Sequence, residues 1–218
     1  MSTEILPDVY DITVEETDGR RTRAFLRTRD VPTLIDTGFA ETTDALFTEL
    51  DDLGIAPRRL VITHGDSDHI GGFDDVVERY DVETWVPEQT TVDTRVRPDN
   101  RYEHGDSIGS FEAVHTPGHQ PDNYALVDEE AGILVAGDAL FGADLRGLPD
   151  GYLVPPPALY SENVNRAEQS LETLLEYDFD AVLVFHGSSV TKDAYDRLEA
   201  FVDFPGKPDW ATYLDSGP

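Results

Sequence analysis

The sequence predicts an α+β fold in which sheets are covered by helices, and three observations carry that prediction. Segments with a two-residue apolar period and segments with a helical period alternate along the chain. The two kinds intermingle throughout, which argues against a helical bundle or an all-β barrel. Buried strands repeatedly end in turns that carry histidine or aspartate, so polar side chains collect at one edge of the sheets.

Taken in order, residues 9–14 read as a strand, followed by an Asp18-Gly19 turn and a second strand over 21–29. In that second strand Arg21, Arg23, Phe25, Arg27 and Arg29 alternate with Thr22, Ala24, Leu26 and Thr28. The alternation predicts one packed face and one arginine-rich face in solvent, with an anion-binding or dimer patch as the functional alternative. Thr33-Leu34-Ile35 reads as a buried strand ending at Asp36-Thr37-Gly38. Leu46, Phe47, Leu50 and Leu53 mark a helix stopped by Gly54, and Pro57 lies beyond it. Leu60-Val61-Ile62 is the next strand, and Phe73, Val76, Val77 and Tyr80 mark a second helix. Thr84-Trp85-Val86 is a short strand, and 87–100 reads as irregular. Strands follow over 111–115, 124–128 and 133–136, then a Gly/Pro-rich loop over 147–157 that includes Pro155-Pro156-Pro157. Val164, Ala167, Leu171, Leu174 and Leu175 lie on one face of a helix. A last strand over 181–185 and a last helix through Ala194, Leu198, Phe201 and Val202 complete a domain over 1–204. A loop-like tail occupies 205–218, with Trp210 as a docking or subunit contact.

At 218 residues the chain can bury a full-sized core. Cysteine is absent, so disulfides and thiolate chemistry are excluded and a metal would need His, Asp or Glu. The first residues lack the basic and apolar regions of a signal peptide, and no apolar run reaches the roughly 18 residues a bilayer span needs. These features predict a cytoplasmic protein without membrane contact. The net charge is −29, and only two lysines stand beside fourteen arginines and twenty-eight aspartates. The acid is dispersed along the whole chain, which reads as halophilic adaptation: in concentrated salt the mutual repulsion is screened over a few ångströms.

The chemistry concentrates in Thr63-His64-Gly65-Asp66-Ser67-Asp68-His69-Ile70-Gly71-Gly72. His64, Asp66, Asp68 and His69 follow directly on a buried strand, and imidazole with carboxylate is the donor set that zinc-type cations favour. Three further strand ends carry the same kind of side chain: His119 after Thr116-Pro117-Gly118, Asp138 after Gly137, and His186 before Gly187. Four of the chain's six histidines stand at these ends. His115 reads as a supporting or core residue, His104 as a surface turn, and Asp36 as either a turn former or a support for a ligand imidazole. Tyr124, Tyr152 and Tyr160 are candidates for hydrogen-bonding a substrate oxygen, with packing the plainer role.

In this order, the Leu-Ile-Asp-Thr-Gly turn, the His-rich loop, Thr-Pro-Gly-His, Gly-Asp and His-Gly resemble the metallo-β-lactamase superfamily, and the Thr-Pro-Gly-His segment its glyoxalase II-like hydrolases. The resemblance spans about residues 9–186. It implies an αββα sandwich of two mixed sheets flanked by helices, with a dinuclear metal site on one edge. By the same resemblance, His64 and His119 bind one cation, Asp68, His69 and His186 the other, and Asp138 bridges them. The family most often has histidine where this chain has Asp66, and Asp66 is expected to complete the first set through a carboxylate oxygen. Three carboxylates and a hydroxide balance the charge of two divalent cations, so the water should have a higher pKa than in an all-histidine site. Zinc is the expected metal, and the added oxygen ligand tilts the site toward manganese or iron.

The activity implied is hydrolysis of a small ester, thioester or lactone, with a hydroxide shared by the two cations attacking the carbonyl and Asp68 orienting it and accepting its proton. Only about thirty residues follow His186, which makes the glutathione-dependent reaction of glyoxalase II itself doubtful. Alternatives are a phosphodiesterase or nuclease, a mononuclear iron dioxygenase of the persulfide dioxygenase type, and a binding module without activity. The expected partner is a small-molecule substrate, with a homodimer possible. Nucleic acid is disfavoured because no basic groove is evident beyond the 21–29 strand.

Overall fold

Alternation of side chains along the strands decides how the layers stack. The computed structural model describes residues 2–17, 20–91 and 94–204. β1 (Ser2–Leu6), β2 (Val9–Thr17), β3 (Arg20–Arg27), β4 (Thr33–Ile35), β5 (Arg59–Val61), β6 (Glu83–Pro87) and β7 (Asn100–Tyr102) form one sheet in that order. Its first half is antiparallel, whereas β4 to β7 run parallel. β8 (Ser107–Ile108), β9 (Phe111–His115), β10 (Tyr124–Asp128) and β11 (Ile133–Val135) form an antiparallel meander. β12 (Phe141–Gly142) and β13 (Leu153–Val154) make a short ribbon, and β14 (Ala181–Leu183) returns parallel to β11 to complete the second sheet. Parallel neighbours need crossover connections. Helix α1 (Thr43–Leu53) joins β4 to β5, α2 (Ser67–Ile70) and α3 (Phe73–Tyr80) join β5 to β6, and α4 (Val164–Leu174) precedes β14. Helix α5 (Ala194–Val202) follows β14.

Three apolar layers result. Ala24, Leu26, Leu34, Leu60 and Ile62 face α1 and α3, packing on Leu46, Leu50, Phe73 and Val76. The alternate residues Phe25, Ile35 and Val61 face the second sheet and meet Leu126, Val135, Leu183 and Phe185. On the far side, Ala125, Val127, Leu134 and Val182 pack under Leu171, Leu174 and Leu198 of α4 and α5. The fold is the αββα sandwich of the α+β class.

The layering corrects the reading of β3. Its odd-numbered face is not turned to solvent; from Arg23 to Arg27 it is covered by the second sheet. Arg23 is 1% exposed and Arg27 5%. Their charges are met inside: Arg23 Nε lies 2.9 Å from Asp11 Oδ2, and Arg27 pairs with Asp128 and sits over the Phe111 ring. Burial opposes ionisation of Asp128, but hydrogen bonds from Ser110 and the Ala131 N–H, together with Arg27, hold its carboxyl below the usual range. Only Arg21 and Arg29 at the two ends keep substantial exposure. β1 and β7 are polar edge strands that periodicity passes over, β7 following directly on the stretch that reads as irregular. The Asp18-Gly19 turn and the 205–218 tail with Trp210 lie outside the described residues. Among the described residues no helix is long and apolar enough to cross a membrane.

Breaking a buried pair by deleting one partner leaves an uncompensated charge, at a cost of about 3–5 kcal/mol. Asp128→Ala should therefore lose about that much unfolding free energy in urea at fixed potassium chloride. Replacing both partners by apolar residues should recover most of it, and a loss in the single variant no larger than that of a surface substitution would refute the assignment.

Candidate metal centre

The parallel pairings put the C-terminal ends of β4 and β5 side by side, and likewise those of β11 and β14. The sequence places its donors on the segments that leave these ends, Asp68 and His69 in the short helix α2 and the others in loops. After β4 the backbone turns left-handed at Asp36, φ 59°, an unusual conformation for a residue with a side chain. The turn sends a fully buried carboxylate under the His-rich loop. Asp36 Oδ1 accepts from the Thr63 N–H at 2.7 Å, and Oδ2 accepts from the Thr63 hydroxyl at 2.7 Å. Oδ2 also takes His69 Nδ1 at 2.7 Å, and the Thr63 hydroxyl contacts His64 Nδ1 at 3.1 Å. A carboxylate oxygen can only accept, so Nδ1 of His69 is the protonated nitrogen. The Thr63 hydroxyl spends its proton on Asp36 and accepts from His64 Nδ1. With Nδ1 engaged in both rings, Nε2 is the nitrogen each turns to the same space, where it can bind a cation once unprotonated.

The loop between β9 and β10 brings His119 from the opposite sheet. Its backbone is pinned by Asn163 N–H to the Gly118 carbonyl and Glu162 N–H to the His119 carbonyl, each 2.9 Å, while Ser170 Oγ donates to the Pro117 carbonyl at 2.6 Å. Gly118, at φ 139°, must lack a side chain because a Cβ would stand 2.1 Å from the Ala167 nitrogen. Asp138 follows β11, and its N–H donates to Asn123 Oδ1 at 3.0 Å. His186 follows β14, with Nδ1 donating to the Arg21 carbonyl at 3.2 Å.

The structure brings all seven sequence-predicted donors together. The donor atoms of His64, Asp66 and His119 lie within 4.8 Å of one another, as do those of Asp68, His69 and His186. A third set, His64, His69 and Asp138, joins the two. His119 Nε2 is 3.1 Å from Asp66 Oδ2 and 3.3 Å from Asp138 Oδ2. His186 Nε2 is 3.2 Å from Asp68 Oδ2 and 3.5 Å from Asp138 Oδ2. Ligands about 2.1 Å from a tetrahedral cation stand about 3.4 Å apart, so these separations suit a shared ion. Buried His64 Nε2, His69 Nε2 and Asp138 Oδ1 complete no hydrogen bond, although the last two are 3.3 Å apart. Buried polar atoms are ordinarily satisfied, and orphaned imidazole and carboxylate atoms facing one point fit a divalent cation.

The remaining candidates take supporting or ordinary places. Asp36 supports the imidazoles of His69 and, through Thr63, His64. His115 stacks on Tyr124 and its Nε2 donates to the Pro121 carbonyl at 2.7 Å, while His104 meets the His115 N–H at 3.4 Å; neither joins the cluster. Tyr124 is buried and its hydroxyl contacts Gln89, whereas Tyr152 and Tyr160 are exposed. Several supports carry no sequence pattern. Asp122 Oδ2 accepts from the Gly65 N–H at 3.0 Å and from the Thr90 hydroxyl at 2.5 Å, and Gln120 donates to Asp66 at 3.0 Å. Phe141 and Phe185 wall the site, their ring centroids 4.8 Å from His186 and 4.9 Å from His69 respectively.

Without a cation, carboxylates and imidazoles of the cluster hold one another in their charged forms. Burial works against a charged Asp138, yet His186 and His69 hold its carboxyl well below the ordinary range. Burial likewise opposes ionisation of Asp66, whose carboxyl the hydrogen bond from His119 and the neighbouring His64 ring nevertheless hold well below the ordinary range. Burial disfavours a charged His69, but Asp138 and Asp36 raise its pKa well above the usual imidazole value. His186 is raised to about 9 by Asp138 and Asp68 against the same opposition.

The family profile of the metallo-beta-lactamase superfamily matches residues 24–186, and the chain belongs to that superfamily. Fold, family and donor set together define a metal-dependent hydrolase. The chain is 24% identical over 200 residues to the probable metallo-hydrolase YflN of Bacillus subtilis (strain 168), an alignment covering 72% of this chain and 76% of that protein. It is 32% identical over 98 residues to a hydroxyacylglutathione hydrolase of Xylella fastidiosa (strain M12), covering 43% of this chain and 36% of that enzyme. A solved metallo-beta-lactamase from Pontibacter korlensis superposes with a TM-score of 0.73 at 20% identity, covering 95% of this chain and 99% of the other.

The raised pKa of His186 sets a pH dependence for the metal-free protein. A group held above its ordinary value of 6.5 contributes stability that is complete below 6.5 and lost as pH rises through about 9. His69 acts in the same direction. Melting temperatures of metal-free protein at fixed salt should therefore fall across that window, less steeply in His186→Ala; a flat or rising profile would contradict the cluster's charge arrangement.

Proposed function

We propose that the protein hydrolyses a small ester, thioester or lactone with two divalent cations held by His64, Asp66, His119, Asp68, His69, His186 and Asp138. One observation carries this reading: two donor triads face each other, with Asp138 Oδ2 within 3.5 Å of a histidine from each. His64, Asp66 and His119 would hold one cation, Asp68, His69 and His186 the other, and Asp138 would stand between them. Bound there, the cations would lower the pKa of water and polarise the substrate's carbonyl oxygen.

The chain's own residues supply orientation, water exclusion and proton handling. Asp68 is the most suitable proton acceptor, because its carboxylate keeps 23% exposure beside the cluster while Asp138 is enclosed. Phe141 and Phe185 exclude water from the inner side, which strengthens electrostatic interactions in the site. Zinc suits the four imidazoles, while the carboxylate of Asp66 shifts the preference toward manganese or iron relative to an all-histidine set. The burial of Arg23 and Arg27 weakens the phosphodiesterase alternative, since the arginine face that could have met a phosphate backbone is not at the surface. The excess of 45 acidic over 16 basic residues supports a working environment of concentrated salt inside the cell.

Elemental analysis of protein purified in molar potassium chloride tests the assignment directly. About two zinc, manganese or iron ions per chain are expected, falling to about one in Asp66→Ala. No uptake above background after reconstitution would end the hydrolase reading. A charge test follows from the same residue. Asp66→His removes one negative charge, so the pH of half-maximal activity toward esters or lactones should drop by about 0.5–1 unit, and an upward shift would contradict the role of Asp66.

A further inference from the structure

His186 stands apart from the other donors, because what holds its ring comes from the opposite sheet. Its Nδ1 donates to the Arg21 carbonyl of β3 at 3.2 Å, which leaves Nε2 to face Asp68 and Asp138. Two residues along the same strand, Arg23 reaches across the sandwich. Its Nη1 donates to the Val184 carbonyl at 3.0 Å and also to the Gly187 carbonyl, so it grips the chain on both sides of His186. Its Nε is met by Asp11 Oδ2 at 2.9 Å. The gripped turn has little freedom elsewhere. Gly142 N–H donates to the His186 carbonyl at 2.8 Å, and Gly187 adopts φ 81°, where a Cβ would stand 2.6 Å from the Gly142 carbonyl oxygen. A guanidinium with 1% exposure is expensive to desolvate, and the fixed fork of arginine spans several acceptors that the single nitrogen of lysine cannot.

We propose that Arg23 is a positioning residue that, together with the Arg21 carbonyl, fixes the ring of His186 and thereby sets the cation affinity of the Asp68, His69, His186 triad alone. This rests on the reading of the two triads as cation sites. The triad of His64, Asp66 and His119 has its own supports in Thr63, Asp36 and Gln120, none of which contacts Arg23 in the hydrogen bonds and ion pairs described above.

The test compares wild type, Arg23→Lys, the double variant Asp11→Asn/Arg23→Met and, as a benchmark, His186→Ala. The double variant leaves no unpaired buried charge, so it guards against a loss of folding that would mask the effect. Zinc and manganese titrations by calorimetry, with folding checked by circular dichroism, should show two binding events in wild type and loss of one in His186→Ala. Both Arg23 variants should weaken that same event by about 10–100-fold, as removal of an outer hydrogen-bond partner does, and leave the other nearly unchanged. In cobalt-loaded protein only the absorption bands of the affected site should shift. In metal-free protein, long-range ¹H–¹⁵N spectra should show altered ring nitrogens for His186 but not for His64. Folded variants whose two affinities match wild type, or fall equally, would overturn the inference and leave the two-cation reading standing. Absence of any cation uptake by wild type would instead overturn that reading, and this inference with it.

Discussion

The carboxylate of Asp36 is the contact on which the site's geometry depends. It has no exposure to solvent, and such a charge is tolerable only when its lone pairs are met by donors. The Thr63 N–H, the Thr63 hydroxyl and His69 Nδ1 meet them, all at 2.7 Å. Through these three contacts one residue sets two imidazoles, His69 directly and His64 by way of the threonine hydroxyl. The arrangement follows from register. Ile35 pairs with Val61 in the parallel ladder of β4 and β5, so the residue after β4 emerges beside the start of the His-rich loop. Its left-handed backbone is the local strain that turns the carboxylate under that loop, and strain of this kind persists where surrounding contacts over-determine it.

The chain carries two populations of ion pairs, and ionic strength separates them. Arg79 with Asp51, Arg95 with Asp75 and Glu78, and Arg29 with Glu130 lie at the surface. In about 1 M salt the screening length shrinks to about 3 Å, so such pairs contribute little. Arg27 with Asp128, Arg23 with Asp11 and Asp36 with His69 are enclosed and escape most of that screening. A protein with this composition can therefore saturate its surface with acid while keeping a few electrostatic contacts fully effective, and those contacts tie the sheets together and orient the site.

The donors were legible in the sequence because each follows an apolar run that can hardly be anything but a buried strand. Their spacing along the chain, from His64 to His186, left the assembly to the topology. Period-two alternation also revealed β3 as a strand, but it could not tell which face looks inward when both are covered. A strand in a middle layer has no solvent side, and the sign that Arg23 and Arg27 lie inside is the presence of Asp11 and Asp128 opposite them. Those partners are set by sheet pairing and sandwich closure, neither of which leaves a local trace. Asp122, Gln120 and Asn123 were illegible for a different reason. Each is a polar residue in a turn, where Asp and Asn are common whatever they bind. Asp36 fell between the two cases: its strand end was recognisable, and its carboxylate's partners were not.

The division of donors between the sheets connects the site to the fold as a whole. Each triad takes two residues from the segment after β5, in the first sheet, and one from the second: His64 and Asp66 from the loop with His119, Asp68 and His69 from α2 with His186. Asp138, between them, also belongs to the second sheet. Neither triad can form unless the sandwich closes, and its closure is governed by the layer holding Phe25, Phe185 and the buried arginines. Cation binding to these triads would draw on the same closure, since a ligand that binds only the assembled state stabilises it by mass action. The two charged residues that β3 sends across the layer therefore act at both levels. Arg27 secures the sheets far from the donors, and Arg23 secures the turn that delivers one of them.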